Sequence, residues 1–154
     1  MVENKKGMSV IELLIAVAVL GILFSIILPQ FSKIRENQVL KAATSNILSS
    51  LNKAQSQTFA SINSSSYGVH FQSDKVIIFK GAVYSATDAN NEIMEIIEPA
   101  RISNVTLSGI SGTSGNVYFN RLSGTPNTTG TITVATSSYS KIITISATGV
   151  ATVN

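Results

Sequence analysis

The chain has 154 residues, no cysteine, no tryptophan, one histidine and 12% charged residues, and its net charge is +3. That length suits one modest domain. Without cysteine there is no disulfide scaffold or thiol chemistry, His70 has no second histidine for a metal cluster, and the charge lacks the dense basic patch of a dedicated nucleic-acid binder.

The first element is apolar. Between Met8 and Leu28 the clearly polar residues are Ser9, Glu12 and Ser25. A helix over this stretch covers about 30 Å, enough to cross a bilayer core. Lys5 and Lys6 precede it, so the positive-inside rule puts the N-terminus in the cytoplasm and the body outside. A secretory signal peptide ends in a small-residue cleavage site. Here Pro29, Gln30 and Phe31 follow, and the helical register continues. Glu12 is the anomaly, because a carboxylate in such a span is costly unless paired. Either it has a dedicated partner, or it lies near enough to the end of the span to reach headgroups.

The run Lys5-Lys6-Gly7-Met8-Ser9-Val10-Ile11-Glu12-Leu13-Leu14 resembles the type III leader of type IV pilins and type II secretion pseudopilins. The resemblance implies that a prepilin peptidase cuts after Gly7 and methylates the new N-terminal residue, Met8. It also puts the acid at the fifth position of the mature chain on Glu12, and the glycine and proline of such helices on Gly21 and Pro29. Met8 departs from the Phe more common at the new N-terminus. The physical logic agrees. Cleavage exposes a cationic amine on Met8, which Glu12 of a neighbouring subunit can neutralise in a filament core. A subunit out of register would leave a charge buried and unpaired.

Pro29 donates no backbone hydrogen bond, and Gly21 weakens the preceding stretch. Two outcomes stay open here: a simple kink, or the local loss of helicity that the resemblance implies. Beyond them, Leu40, Ala43, Ile47, Leu51, Ala54, Thr58 and Ile62 recur at helical spacing, the apolar face of an amphipathic helix. Lys33, Arg35, Lys41 and Lys53 oppose only Glu36 in this segment, which reads as a solvated face or as a contact for anionic headgroups. The helix is expected from Ser9 to about Ala60, about 75–80 Å.

Asn63-Ser64-Ser65-Ser66 ends the helix. Strands are expected at Tyr67–Phe71, Lys75–Lys80, Glu95–Glu98, Arg101–Leu107, Asn116–Leu122, Gly130–Ala135, Lys141–Ser146 and Val150–Val153. Six to eight antiparallel strands should pack as a twisted sheet or small sandwich on the helix. His70 falls opposite the apolar residues of its strand and reads as a surface residue. The acidic loop Asp88-Ala89-Asn90-Asn91-Glu92 offers clustered oxygens for calcium but lacks EF-hand spacing, so it reads as a plain loop. No Ser-His-Asp or Cys-His arrangement and no glycine-rich phosphate loop is present.

The body resembles the GspH/FimT group of pseudopilins and minor pilins. Tyr67-Gly68-Val69-His70-Phe71, followed by a strand ending in Phe79, is similar to that group's first hairpin, and Lys141 to Val150, with Gly149 in the turn, to its closing hairpin. The expected fold is α+β: a long N-terminal helix on an antiparallel sheet or small sandwich. The expected layout is a leader at 1–7, a membrane or filament-core helix at 8–29, its amphipathic continuation at 30–62 and a β-rich head at 63–154. The expected function is structural, with no cofactor, metal or catalytic residue. The subunit joins a type IV pilus or secretion pseudopilus, its partners being prepilin peptidase, other pilins and an inner-membrane assembly platform. The alternatives are a major pilin, an enzyme or binding module on a helical anchor, and a DNA-uptake minor pilin. In the last case Arg101, Arg121 and Lys141, in the acid-free C-terminal part, are the candidate phosphate contacts.

Overall fold

The computed structural model describes residues 7–154; Lys5 and Lys6, on which the basic leader rests, lie outside the described residues. The chain divides into two units, Met1–Arg35 and Glu36–Asn154, and helix α1 (Val10–Phe59) contributes to both.

In the Glu36–Asn154 unit, α1 buries the stripe read from the sequence. Leu40, Ala43, Ile47, Leu51, Ala54 and Thr58 are all buried. Each fully buried Leu or Ile contributes about 1.5–3 kcal/mol, so this face, more than helix propensity, holds the segment helical. Ile62, the last predicted member, is instead 43% exposed, because α1 has already ended at Phe59. Ser61 turns out of the helix at φ 47°, and a 3-10 turn, Ile62–Ser64, follows.

Nine strands follow among the described residues: β1 (Tyr67–Phe71), β2 (Lys75–Lys80), β3 (Glu92–Glu95), β4 (Arg101–Leu107), β5 (Ile110–Gly112), β6 (Gly115–Tyr118), β7 (Gly130–Ala135), β8 (Ser140–Ile145) and β9 (Ala151–Val153). They form two antiparallel sheets, one in the order β3-β2-β1-β6 and the other β5-β4-β7-β8-β9. Inward side chains of both sheets meet the α1 stripe in one core. Val69, Phe71, Val76 and Ile78 come from the first sheet, and Val105, Ile132, Val134, Ile143 and Ile145 from the second. The architecture is α+β, a long N-terminal helix packed on antiparallel sheets.

The expected strand Asn116–Leu122 is shorter, because β6 ends at Tyr118 and Arg121 and Leu122 lie in a turn; three other details also differ from the sequence reading. β5 is an added strand: Ser108 and Gly109 both take positive φ between paired Leu107 and Ile110, the two-residue turn that matches strand twist. β3 lies earlier than Glu95–Glu98, because Ile93 and Met94 register against Ile77 and Val76 of β2. The third concerns His70, which is 9% exposed rather than on the surface. Strand alternation does point it away from the main core, but the β2–β3 connection covers that face. Tyr84 stacks on the His70 ring with centroids 3.9 Å apart, and meets Phe79 edge-on at 5.6 Å. Ile77 and Phe79, at 3% and 1% exposure, complete a small second core. Gly68 is required there: a Cβ would lie 2.5 Å from Phe79 Cζ.

Candidate functional site

In the Met1–Arg35 unit, α1 is apolar on every side. Val10, Ile11, Leu13, Leu14, Val17 and Leu20 point in different directions at 100° per residue, and all are exposed. A helix apolar all round is a buried helix, yet nothing among the described residues buries this one. It is long and apolar enough to cross a membrane. Gly7 and Met8 precede the first helical turn; both are exposed, Met8 at 66%. The Ser9 carbonyl accepts the Leu13 N–H at 3.1 Å and opens the helix. Glu12 lies in the first turn, where the positive helix end favours a carboxylate. It has no ion-pair partner among the described residues. Backbone and apolar surface are thus arranged for an accessible N-terminal segment, an unpaired acid one turn in, and a helix that something outside the chain must cover. α1 remains helical through Gly21 and Pro29. A side chain at Gly21 would meet nothing within 4 Å, leaving room for close approach by another helix.

A family model described as the prokaryotic N-terminal methylation motif matches residues 3–28. A second, described as type II transport protein GspH, matches residues 43–149. The chain belongs to the GspH family. No curated protein and no solved structure matches it. Membership makes it a pilin- or pseudopilin-type structural subunit, and implies assembly with other pilins and processing by a prepilin peptidase.

Some polar and charged groups of the GspH-type head tie its own elements together. Glu36 accepts the Ser137 hydroxyl at 2.8 Å and the Ser138 N–H at 3.1 Å, fastening α1 to the β7–β8 turn. These bonds, Ser137 first, hold its carboxyl below the ordinary 4.5. Lys53 pairs with Glu92 at 2.6 Å and links α1 to β3. Gln55 Nε2 donates to the Gly124 carbonyl at 2.9 Å and the Thr148 carbonyl at 3.2 Å. Gly149, at φ 86°, closes the β8–β9 turn beside that amide. In the Asp88 loop, the carboxylate accepts the Asn90 N–H at 2.9 Å and the Asn90 side-chain amide at 2.8 Å. Those bonds lower its pKa, the backbone one most. Asp88 Oδ1 is therefore taken up within its own loop, Glu92 Oε1 is taken by Lys53, and no group of three metal-ligating His, Cys, Asp or Glu forms among the described residues.

The three candidate DNA contacts do not converge. Arg101 opens β4 opposite Ala135, and Lys141 lies opposite Val134 on β8. Neighbours on one strand face opposite ways, so Arg101 and Lys141 occupy opposite faces of their sheet. Arg121 sits in the β6–β7 connection near Gly124 and Gln55, while Arg101 lines a cleft with Ser137, beside Glu36. Those two ends are separated by about 28 Å of α1. That cleft, about 470 Å³, is absent from the sequence reading. Its lining includes Asp74, Ile96, Glu98, Pro99, Arg101 and Ser137, drawn from the β1–β2 turn, the β3–β4 connection, the start of β4 and the β7–β8 turn, and only the adjacency of Glu98, Pro99 and Arg101 hints at it in the linear chain.

Proposed function

We propose that the chain is a minor pilin or pseudopilin of a type IV pilus or type II secretion pseudopilus. Prepilin peptidase cuts after Gly7 and methylates Met8. Before assembly the subunit is held in the inner or cytoplasmic membrane by residues 8–29, with the head outside the cytoplasm. An assembly platform then transfers that helix from lipid into a filament core. There Glu12 neutralises the Met8 amine of a neighbouring subunit and sets axial register, while Gly21 and Pro29 let the helix adjust as it packs. Residues 30–62 continue the helix, and residues 63–154 form the exposed head.

The carrying observation is the all-round exposure of an apolar helix that runs into a head with a complete core of its own. Such a helix needs an apolar environment in two places, lipid first and other copies of the helix later. The scatter of Arg101, Arg121 and Lys141 offers no single phosphate-binding surface, so the structural reading is favoured over DNA uptake. Mass spectrometry of sheared surface filaments and of membranes tests this. The expected peptide begins at methylated Met8, and its amount relative to other pilins separates a minor from a major subunit. A chain that keeps residues 1–7 in cells with active prepilin peptidase overturns the reading.

A further inference from the structure

Past its apolar run, α1 carries four cations, Lys33, Arg35, Lys41 and Lys53. Lys41 belongs to the head unit, and Lys53 is taken by Glu92. Glu36, the acid next to Arg35 in the chain, accepts the Ser137 hydroxyl on one carboxylate oxygen and the Ser138 N–H on the other. Lys33 and Arg35 are exposed and have no ion-pair partner among the described residues. Two cations just past the end of an apolar run are thus left without a counter-charge from the described chain.

Their height on α1 selects what can neutralise them. Lys33 lies five residues and Arg35 seven residues beyond Leu28, the last of the apolar run. Those steps are about 7.5 and 10.5 Å of helix. A bilayer is about 30 Å thick in its hydrocarbon core and about 40–45 Å with headgroups, so each headgroup layer is about 5–8 Å deep. A helix that fills the core with residues 8–28 sets Lys33 in that layer, and the long Arg35 side chain reaches back into it. Phe31 and Ile34, 69% and 55% exposed, stand among the two cations, and apolar side chains of this kind suit the boundary between headgroups and acyl chains.

Their placement around α1 favours lipid over a protein neighbour. At about 100° per residue, Arg35 points about 200° away from Lys33. A protein neighbour covers one side of a helix. A headgroup layer surrounds it and meets both cations at once. Cations are also scarce at the outward end of a span unless something there attracts them. Cleavage after Gly7 removes Lys5 and Lys6, which leaves Lys33 and Arg35 as the basic side chains nearest the span. We infer that Lys33 and Arg35 bind the phosphate groups of anionic phospholipids in the outward-facing leaflet and fix the depth of the subunit before assembly. This inference rests on the membrane-anchor reading above.

The chain has no tryptophan, so Phe31→Trp places a single fluorescent reporter beside the two cations. The full-length variant is reconstituted into bilayers of phosphatidylcholine and phosphatidylglycerol, with one or the other lipid brominated near the top of its acyl chains. Bromine quenches tryptophan only at near-contact range, so quenching reads which lipid sits at residue 31. A Lys or Arg near an anionic surface gains about fivefold in affinity. Phosphatidylglycerol is therefore expected to bind there at least about fivefold more tightly than phosphatidylcholine. Adding Lys33→Gln and Arg35→Gln should bring the two lipids level, whereas Lys33→Arg with Arg35→Lys should keep the preference. Arg101→Gln removes the same charge from the head and should also keep it. Equal quenching by the two lipids in the Phe31→Trp chain overturns the headgroup contact and leaves the membrane anchor standing. Quenching by neither lipid overturns both. A preference that survives the double glutamine substitution moves the lipid contact to other residues and overturns this assignment.

Discussion

The Thr58 hydroxyl accepts the Tyr67 backbone N–H at 2.8 Å, joining the last turn of α1 to the first residue of β1 inside the core. The same hydroxyl donates to the Ala54 carbonyl at 2.8 Å. One fully buried side chain thereby satisfies a strand donor that the helix-to-strand passage would otherwise strand without water. Thr58→Val keeps the shape and removes the acceptor. The orphaned N–H should cost about 1–3 kcal/mol. Thr58→Ser keeps the hydroxyl and should lose less. Thermal unfolding of the full chain in detergent, with hydrogen exchange at Tyr67, checks both. An unchanged Thr58→Val midpoint would show that the bond contributes nothing.

Tyr84 covers the outer face of the first sheet through its stack on His70 and its edge contact with Phe79. Tyr84→Ala should uncover Ile77 and Phe79 and destabilise the head by about 1–3 kcal/mol, mostly from lost apolar burial. Tyr84→Phe should be close to neutral. Limited trypsin digestion after Lys80 should accelerate in the alanine variant, whereas equal cleavage of the two variants would argue against a covering role.

The Glu36 contact with Ser137 and Ser138 gives a pH dependence whose sign is set. Its folded pKa is lowered from 4.5. A depressed carboxylate stabilises the fold fully above its unfolded value, and loses that contribution as the pH falls through the folded one. Glu36→Gln should therefore melt below wild type at neutral pH, and the gap should close on acidification below 4.5. A gap that stays constant across that range would assign the effect to packing instead of charge. The carboxylate is exposed, so the difference is expected to be small.

For Glu12, the proposed pairing with a neighbouring Met8 amine predicts a defect of assembly, not of folding. Removing one partner of a buried ion pair costs about 3–5 kcal/mol, over a hundredfold in an association constant. Glu12→Ala should leave the membrane pool and the head's unfolding midpoint unchanged while depleting the chain from sheared filaments. Equal incorporation of Glu12→Ala and wild type would remove the pairing from the proposal.

Much of this organisation is local in origin and so legible in the linear chain. The basic-Gly7-Met8-Glu12 run is a contiguous signal. The stripe from Leu40 to Thr58 follows from the 3.6-residue period, and β2, β4 and β7 follow from β-branched runs between turn residues. Ser108-Gly109 between Leu107 and Ile110 is a turn dipeptide that offered β5 as well.

What the sequence by itself determined is the element type wherever one periodicity governs a stretch: an apolar helix, an amphipathic helix, and strands parted by turns. Tertiary structure alone decided which faces are covered. Alternation marks the two faces of β1, but only the return of Tyr84, from a connection with no period of its own, makes His70 a buried residue. It also decided the sheet order. That order places Arg101 and Lys141 on opposite faces and brings Asp74 beside Arg101 in one cleft. Pairing between strands far apart in sequence is settled by the packing of the whole core, and local propensity carries no record of it.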